Sequence, residues 1–136
     1  MQYLLDTDIC SYVIRGRDAE LLATMQTKAR AGADLSISAI TYAELRSGAE
    51  RARHADRYNH AIYLFCERLS GVLAWDRSAA DEFASLEAEL HKRGRPIGRN
   101  DTMIAAHALS LDCAVVTNNQ RYFSRVPRLQ VENWSG

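Results

Sequence analysis

Four acidic side chains are spaced along the chain so that a parallel α/β sheet would gather them at one edge: Asp6, Asp8, Glu44 and Asp101. In an open parallel sheet, functional groups collect at the carboxyl ends of the strands, beside the point where the strand order reverses. Two carboxylates 4 Å apart would repel each other there by about 4 kcal/mol at an effective dielectric of 20. A divalent cation such as Mg²⁺ removes that cost and prefers oxygen ligands. The spacing therefore indicates a metal-dependent enzyme acting on phosphate esters.

Short apolar runs alternate with longer helical patterns, and the length of 136 residues suits one domain, residues 1–136. Strands are predicted at residues 2–5, 35–38, 72–75, 114–117 and 129–131. Helices are predicted at residues 9–15, 18–31, 39–50, 55–69, 77–93 and 101–111. Buried strands that alternate with helices require right-handed crossovers, so we expect an α/β fold whose mainly parallel sheet is covered on both faces. Asp76 is a predicted N-cap, and Gly94 a predicted helix stop.

Each acidic residue also has an ordinary structural interpretation. An Asp that follows a strand, such as Asp6, is often a turn former or a helix cap, and Asp8 is well placed to cap the helix at 9–15. Glu44 could be a solvated residue on an outer helix face. Asp101 could be only an N-terminal capping residue, although free N–H groups there favour the ionised carboxylate that a metal needs. The convergence on one sheet edge is what favours a metal site.

The expected chemistry assigns a role to each side chain. Mg²⁺ held by Asp6 and Asp101 would polarise the scissile phosphate and lower the pKa of a bound water. Glu44 would complete the ligand set, directly or through water, or assist deprotonation. Asn119 would position the attacking water, although Asn118 and Asn119 can equally form an Asx turn. His107 is expected to be structural, because no histidine has a plausible nucleophile partner.

The charge distribution suits a nucleic acid, although the net charge is zero. Residues 91–128 carry seven cations against two acids, and 15 of the chain's 17 cations are Arg. Arginine binds phosphates in a bidentate manner and stacks on bases, but an ordinary solvated surface explains the same composition equally well.

Other features favour an enzyme of the cytoplasm with no membrane association, because we find neither a secretory signal nor a long apolar span. The three cysteines are expected to be buried hydrophobes, with a reactive Cys10 thiol as the weaker alternative. An apolar stripe on the helix at 55–69 is either core packing or a surface for a partner; its members are Tyr58, Ile62, Phe65 and Leu69.

Four segments resemble PIN-domain ribonucleases of the VapC toxin type. They are LLDTDICSY at 4–12, ISAITYAEL at 37–45, PIGRND with IAAHA at 96–108, and VTNN with its closing segment at 116–134. The resemblance spans nearly the whole chain, with the motifs in family order.

This resemblance implies a three-layer α/β/α sandwich and a Mg²⁺- or Mn²⁺-dependent endoribonuclease whose acidic site is Asp6, Glu44 and Asp101. It implies the toxin of a type II toxin–antitoxin pair, neutralised by a VapB-type antitoxin, forming a homodimer and meeting operator DNA only through the antitoxin. Several toxins with this closing motif cut initiator tRNA in the anticodon loop, so tRNA is the expected substrate. Two positions depart from the family pattern: Asp8 is commonly Asn, and Asn119 replaces an acid of many relatives, which puts a two-metal site in doubt.

Two other functions remain as alternatives. The segment LLDTD also resembles the aspartyl-nucleophile motif of haloacid-dehalogenase-type phosphatases, but that chemistry needs a later Lys and a second acidic pair. Lysine occurs only at positions 28 and 92. A catalytically silent RNA-binding module with the same fold is the other alternative.

Overall fold

The computed structural model describes residues 1–135, among which five parallel strands form one sheet in the order β3-β2-β1-β4-β5. The strands are β1 (Gln2–Leu5), β2 (Asp34–Ser38), β3 (Gly71–Leu73), β4 (Ala114–Val116) and β5 (Val131–Glu132). The helices are α1 (Thr7–Ile14), α2 (Ala19–Arg30), α3 (Ala39–Glu50), α4 (Ala55–Glu67), α5 (Arg77–Lys92), α6 (Arg99–Leu111) and α7 (Gln120–Phe123).

The side chains of β1 alternate between two separate apolar cores, as a strand buried on both faces requires. Tyr3 and Leu5 pack with residues of α1 to α4 on one face. Leu4 packs with residues of α5 to α7 on the other face, together with Val115 of β4. The prediction of a three-layer α/β/α sandwich with a parallel sheet is therefore confirmed.

The strand order reverses at β1, since the chain proceeds from β1 through β2 to β3 on one side and later adds β4 and β5 on the other. The crevice at such a reversal lies beyond the carboxyl ends of β1 and β4. The two residues that follow these strands are Asp6 and Thr117, and the Asp6 N–H donates to the Val116 carbonyl at 3.0 Å.

Most of the predicted elements are present, with differences near the third and last strands. Trp75 was assigned to a strand but lies after β3, where its indole N–H donates to the Met103 carbonyl at 3.0 Å. The last strand begins later than predicted because Arg128 has a left-handed φ of 69°, and pairing resumes at Val131 opposite Val115. The short helix α7 was not predicted.

The predicted helix signals of α5 are confirmed. Asp76 Oδ1 accepts the Ala79 N–H at 3.1 Å, and Gly94 follows the helix with a φ of 67°. The stripe on α4 is core packing: Ile62 and Phe65 are buried, and its other two members pack partly buried against the same core.

The structure bears on two further expectations, the state of the three cysteines and the absence of a membrane-spanning segment. Cys10 and Cys113 are buried and Cys66 is half-buried, and all three thiols are free. Burial, with Asp6 nearby, raises the pKa of the Cys10 thiol, so a reactive thiolate at that position is wrong. No helix within residues 1–135 has the length and apolar character needed to cross a membrane.

Gly98 precedes α6 with a φ of 98° and a ψ of 152°, a conformation that is essentially restricted to glycine. Gly98→Ala should therefore lower the free energy of unfolding by about 1–3 kcal/mol, measured by urea denaturation. Gly48→Ala is the matched control, because Gly48 lies inside α3 and, apart from its chain neighbours and its own helix backbone, nothing in residues 1–135 lies within 4 Å of the added methyl group. It should raise stability by roughly 0.5–1 kcal/mol. Equal effects of the two substitutions would contradict the assignment of strain to Gly98.

Candidate active site

Asp6 is the buried centre of the carboxyl edge, with 3% of its surface exposed. Its Oδ1 accepts the Ile9 N–H at 2.9 Å and so caps α1. Its Oδ2 accepts a short hydrogen bond from the Thr117 hydroxyl, at the end of β4. Both oxygens are thereby fixed by elements that flank the switch point.

Burial makes this carboxyl unusually reluctant to ionise. Desolvation raises the pKa of Asp6 from 3.8 to about 7. The hydrogen bonds from Thr117 and Ile9 oppose that rise, while the charges of Asp8 and Asp101 add to it. A cation beside Asp6 would favour the ionised form.

Asp101 lies in the first turn of α6 and is partly exposed. Desolvation, together with the charges of Glu44 and Asp8, raises the pKa of this carboxyl to about 6. Four acids from three separate segments of the chain thus lie close enough for their charges to repel one another, as predicted. Helix α6 begins there because Gly98 turns the chain, and the Thr102 hydroxyl donates to the Gly98 carbonyl at 2.6 Å.

Glu44 faces the site from α3 and is held at both carboxylate oxygens. The Thr7 hydroxyl donates to Oε1 at 2.6 Å, and the Asn100 amide donates to Oε2 at 2.9 Å. Because Thr7 and Asn100 neighbour Asp6 and Asp101 in sequence, these two bonds orient Glu44 toward the other carboxylates. The alternative of a freely solvated Glu44 is wrong.

Asp8 does not cap α1, since Asp6 performs that role. Asp8 is exposed in the first turn of the helix, where the helix dipole favours a negative charge. It still contributes repulsion to both Asp6 and Asp101. The capping interpretation of Asp8 is therefore wrong, and the interpretation in which Asp8 lines the site stays a prediction.

Thr117 is a residue of the site that was not predicted from the sequence. Its hydroxyl accepts the Asn119 N–H at 2.9 Å while it donates to Asp6. Asn119 is half-exposed directly before α7, so its side chain is available at the rim. The signal for Thr117 was its position at the end of β4, next to β1.

His107 lies behind the carboxylates and is buried. Its Nδ1 lies 2.9 Å from the Ser38 Oγ, and desolvation lowers its pKa. Ser38 caps α3 by accepting the Ile40 N–H at 3.1 Å. The prediction that His107 is structural is confirmed, because it joins α6 to the start of α3.

A surface cavity of about 460 Å³ adjoins Glu44. Its lining combines Glu44 and Asn100 with Arg51 and the apolar side chains of Ile40 and Met103. The cavity is open enough for a substrate group to approach Glu44 and the start of α6 from solvent.

The donor set fits a hard divalent cation in chemical type. The candidate ligand atoms are carboxylate oxygens, which Mg²⁺ prefers and Zn²⁺ does not require. Such an ion would also remove the repulsion between the Asp6 and Asp101 carboxylates. Within residues 1–135, no three Asp, Glu, His or Cys side chains are grouped closely enough to hold a metal ion by themselves. An ion bound at Asp6 and Asp101 would keep several waters, as Mg²⁺ commonly does.

Comparison with known proteins identifies the family. The family model for the PIN domain matches residues 3–129. The chain belongs to the PIN-domain family. Ribonuclease VapC2 of Haemophilus influenzae is 41% identical over 134 residues, covering 98% of both chains. The tRNA(fMet)-specific endonuclease VapC of Shigella flexneri is 37% identical over 135 residues, covering 99% of both.

Solved structures agree with this assignment. VapBC2 from Rickettsia felis, bound to a promoter DNA fragment, matches with a TM-score of 0.94 and 31% identity over 99% of this chain and 100% of that one. DNA-bound VapBC from Salmonella typhimurium matches with a TM-score of 0.91 and 35% identity over 98% of both chains. The predicted resemblance to VapC ribonucleases is confirmed, and the phosphatase alternative loses its basis because the whole fold is PIN-like.

The raised pKa values predict how pH affects the stability of the metal-free protein. Below pH 4 the protonated carboxyls of Asp6 and Asp101 stabilise the fold, and this contribution is lost as pH rises through about 6 and 7. Asp6→Asn should raise the free energy of unfolding at pH 8 in EDTA by roughly 2–4 kcal/mol, at about 1.4 kcal/mol per pKa unit. It should have little effect at pH 4.

Urea unfolding at several pH values measures this difference. Asp81→Asn on the exposed side of α5 is the matched control and should leave the pH dependence of the wild-type chain in place. An Asp6→Asn variant that loses stability toward pH 8 as steeply as wild type would contradict the assignment of this pH dependence to the Asp6 carboxyl.

Proposed function

We propose that this protein is the toxin of a type II toxin–antitoxin pair and cleaves RNA phosphodiester bonds with Mg²⁺ or Mn²⁺. The observation that carries the proposal is the desolvated Asp6 carboxyl, fixed at the switch point of the sheet beside Asp101. Such a group costs stability in the absence of a cation, which a purely structural role would not require.

Asp6 and Asp101 would hold the ion, with Glu44 and Asp8 joining it directly or through water. When bound, the ion supplies Lewis acidity to the phosphate and lowers the pKa of an attached water. Thr117 keeps Asp6 Oδ2 directed into the crevice, and Ile9 keeps Oδ1 in place.

The remaining site residues act on the attacking water. Glu44, held by Thr7 and Asn100, receives the proton of that water or orients it. Asn119 at the opposite rim orients the same water through its amide. These four acids and Asn119 constitute the proposed catalytic site.

The role of Asp101 can be tested against a control on the same helix. Asp101→Asn should reduce RNA cleavage by more than about 100-fold, because even partners outside a metal's own ligands contribute 10–100-fold. Asp112→Asn should cleave normally, since Asp112 is exposed at the other end of α6 with a φ of 52° that Asn tolerates. The measurement is the initial rate of RNA cleavage with Mg²⁺, and EDTA should abolish it for both active proteins.

Toxicity in cells tests the same assignment against a silent binding module. The wild-type chain should arrest growth and Asp101→Asn should not, although circular dichroism should show both folded. Equal growth arrest by both proteins would show that metal chemistry is not the function.

We propose initiator tRNA, cut in its anticodon loop, as the substrate. Relatives named tRNA(fMet)-specific endonuclease cover 98–99% of the chain, and residues 91–128, which include α6, carry seven cations against two acids. After brief induction without antitoxin, the 5′ ends of new RNA fragments should map to that loop. Fragments that map instead to messenger or ribosomal RNA would refute this substrate while leaving ribonuclease activity intact.

We further propose a VapB-type antitoxin as the inhibitor, with operator DNA reached only through it, and a homodimer as the working form. A cavity of about 290 Å³ between α1, α2 and α4 offers an apolar receptor for an antitoxin segment. Val13, Met25 and Phe65 contribute to its lining, and the half-exposed Leu64 lies at its border. The similar structures are of VapBC2 from Rickettsia felis and VapBC from Salmonella typhimurium, each bound to DNA, which supports an occupant of this kind.

A further inference from the structure

An exposed aromatic ring lies against a fixed arginine beside the proposed catalytic site. Tyr122 of α7 is 38% exposed. The guanidinium carbon of Arg125 lies 4.6 Å from the centre of the Tyr122 ring. Arg125 Nη1 also donates to the Pro96 carbonyl at 3.1 Å, so the cation is held from two sides.

This pair connects the two chain segments that deliver site residues. The Tyr122 N–H donates at 3.3 Å to the carbonyl of Asn119, the residue proposed above to orient the attacking water. At about 1.5 Å of rise per helical residue, the two residues are close along the axis. Pro96 precedes Gly98 and the start of α6, which carries Asp101. The pair therefore lies at the same edge as the carboxylates.

The packing of the pair leaves capacity for a ligand. A cation over an aromatic face is attracted by the ring quadrupole, which immobilises a side chain that would otherwise be flexible. Part of Tyr122 remains in solvent, and Arg125 is half-buried beside it, so the pair can be reached from solvent. An immobilised ring with a planar cation is a suitable stacking surface for a nucleobase.

The surrounding charge favours a polyanion. Five further arginines of residues 91–128 are exposed: Arg93, which pairs with Glu89, and Arg95, Arg99, Arg121 and Arg128. The two acids of residues 91–128 are Asp101, inside the site, and Asp112, at the far end of α6.

We propose that Tyr122 and Arg125 form a stacking site, here called the Tyr122–Arg125 platform, for an unpaired base next to the cleaved RNA phosphate. The proposal rests on the ribonuclease function proposed above and adds the subsite that fixes the substrate strand. Single-stranded RNA is recognised by aromatic and arginine stacking, and the platform lies on the α6–α7 side of the sheet, away from the apolar cavity of α1, α2 and α4.

Substitutions at Tyr122 separate stacking from structure. Tyr122→Ala should weaken binding of a fluorescent anticodon stem-loop RNA by about 5- to 150-fold, the usual contribution of one stacked base. Tyr122→Phe and Tyr122→Trp should bind near the wild-type level. Tyr63→Ala is the matched control, because Tyr63 is 59% exposed on α4 and should leave RNA affinity unchanged.

Salt dependence adds a readout that a merely structural residue would not produce. Binding of phosphates by cations steepens the fall of affinity with salt, whereas stacking does not. Tyr122→Ala should keep the wild-type salt slope, and Arg121→Gln, at an exposed arginine of the same helix, should make the slope shallower. Tyr122→Leu, which retains apolar volume, should fold like wild type by thermal melting and bind RNA as weakly as Tyr122→Ala.

The outcomes distinguish failure of the subsite from failure of the function. A wild-type chain that neither binds nor cleaves RNA refutes the ribonuclease proposal and the platform with it. Active wild type with unimpaired Tyr122→Ala and Tyr122→Leu overturns the platform alone. Variants that bind RNA normally but lose antitoxin would also overturn it, and would assign the surface to a protein partner.

Discussion

The buried Asp6 carboxylate is the interaction on which the fold and the site both depend. One oxygen caps α1 and the other accepts a bond from Thr117, so a single side chain joins β1, α1 and the end of β4. The same carboxylate is desolvated and repelled by its acidic neighbours. The carboxyl edge of the sheet therefore depends on the Asp6 side chain, although the surroundings of Asp6 oppose its ionisation. The geometry of the site and the packing around it depend on the same residue.

The carboxylates of Glu44 and Asp101 gain their positions from a second connection, between α3 and α6. Ser38 and His107 join the start of α3 to the middle of α6 in the interior, and Glu44 and Asn100 join the same helices at the rim. Because each link is a hydrogen bond of defined geometry, the separation of Glu44 and Asp101 is set at two points. A shift of α6 would consequently disturb the site and the core together.

Much of this arrangement could be predicted from the sequence because it follows from chain direction alone. Parallel strands bring the ends of β1 and β4 to one edge, and α6 must begin there, so Asp6 and Asp101 converge without knowledge of any contact. The cap at Asp76 was equally local. The choice between Asp6 and Asp8 as the N-cap of α1 could not be predicted from local sequence. It depends on an Asp6 rotamer that the long-range hydrogen bond with Thr117 fixes. The binding of Glu44 by Thr7 and Asn100 depends on helix crossing and was also hidden.

The pairing of Asp6 with Thr117 also explains why an asparagine suffices at position 119. A further carboxylate there would approach a cluster in which two neighbouring charges already raise the pKa of Asp6 and two raise that of Asp101. Asp8 supplies additional negative charge from an exposed position where water screens it, whereas position 119 is bound through its N–H to the hydroxyl that touches Asp6. A neutral amide can orient a water without adding to that repulsion. A proton and a divalent cation are alternative ways of neutralising the same cluster, so a cation bound there would displace protons.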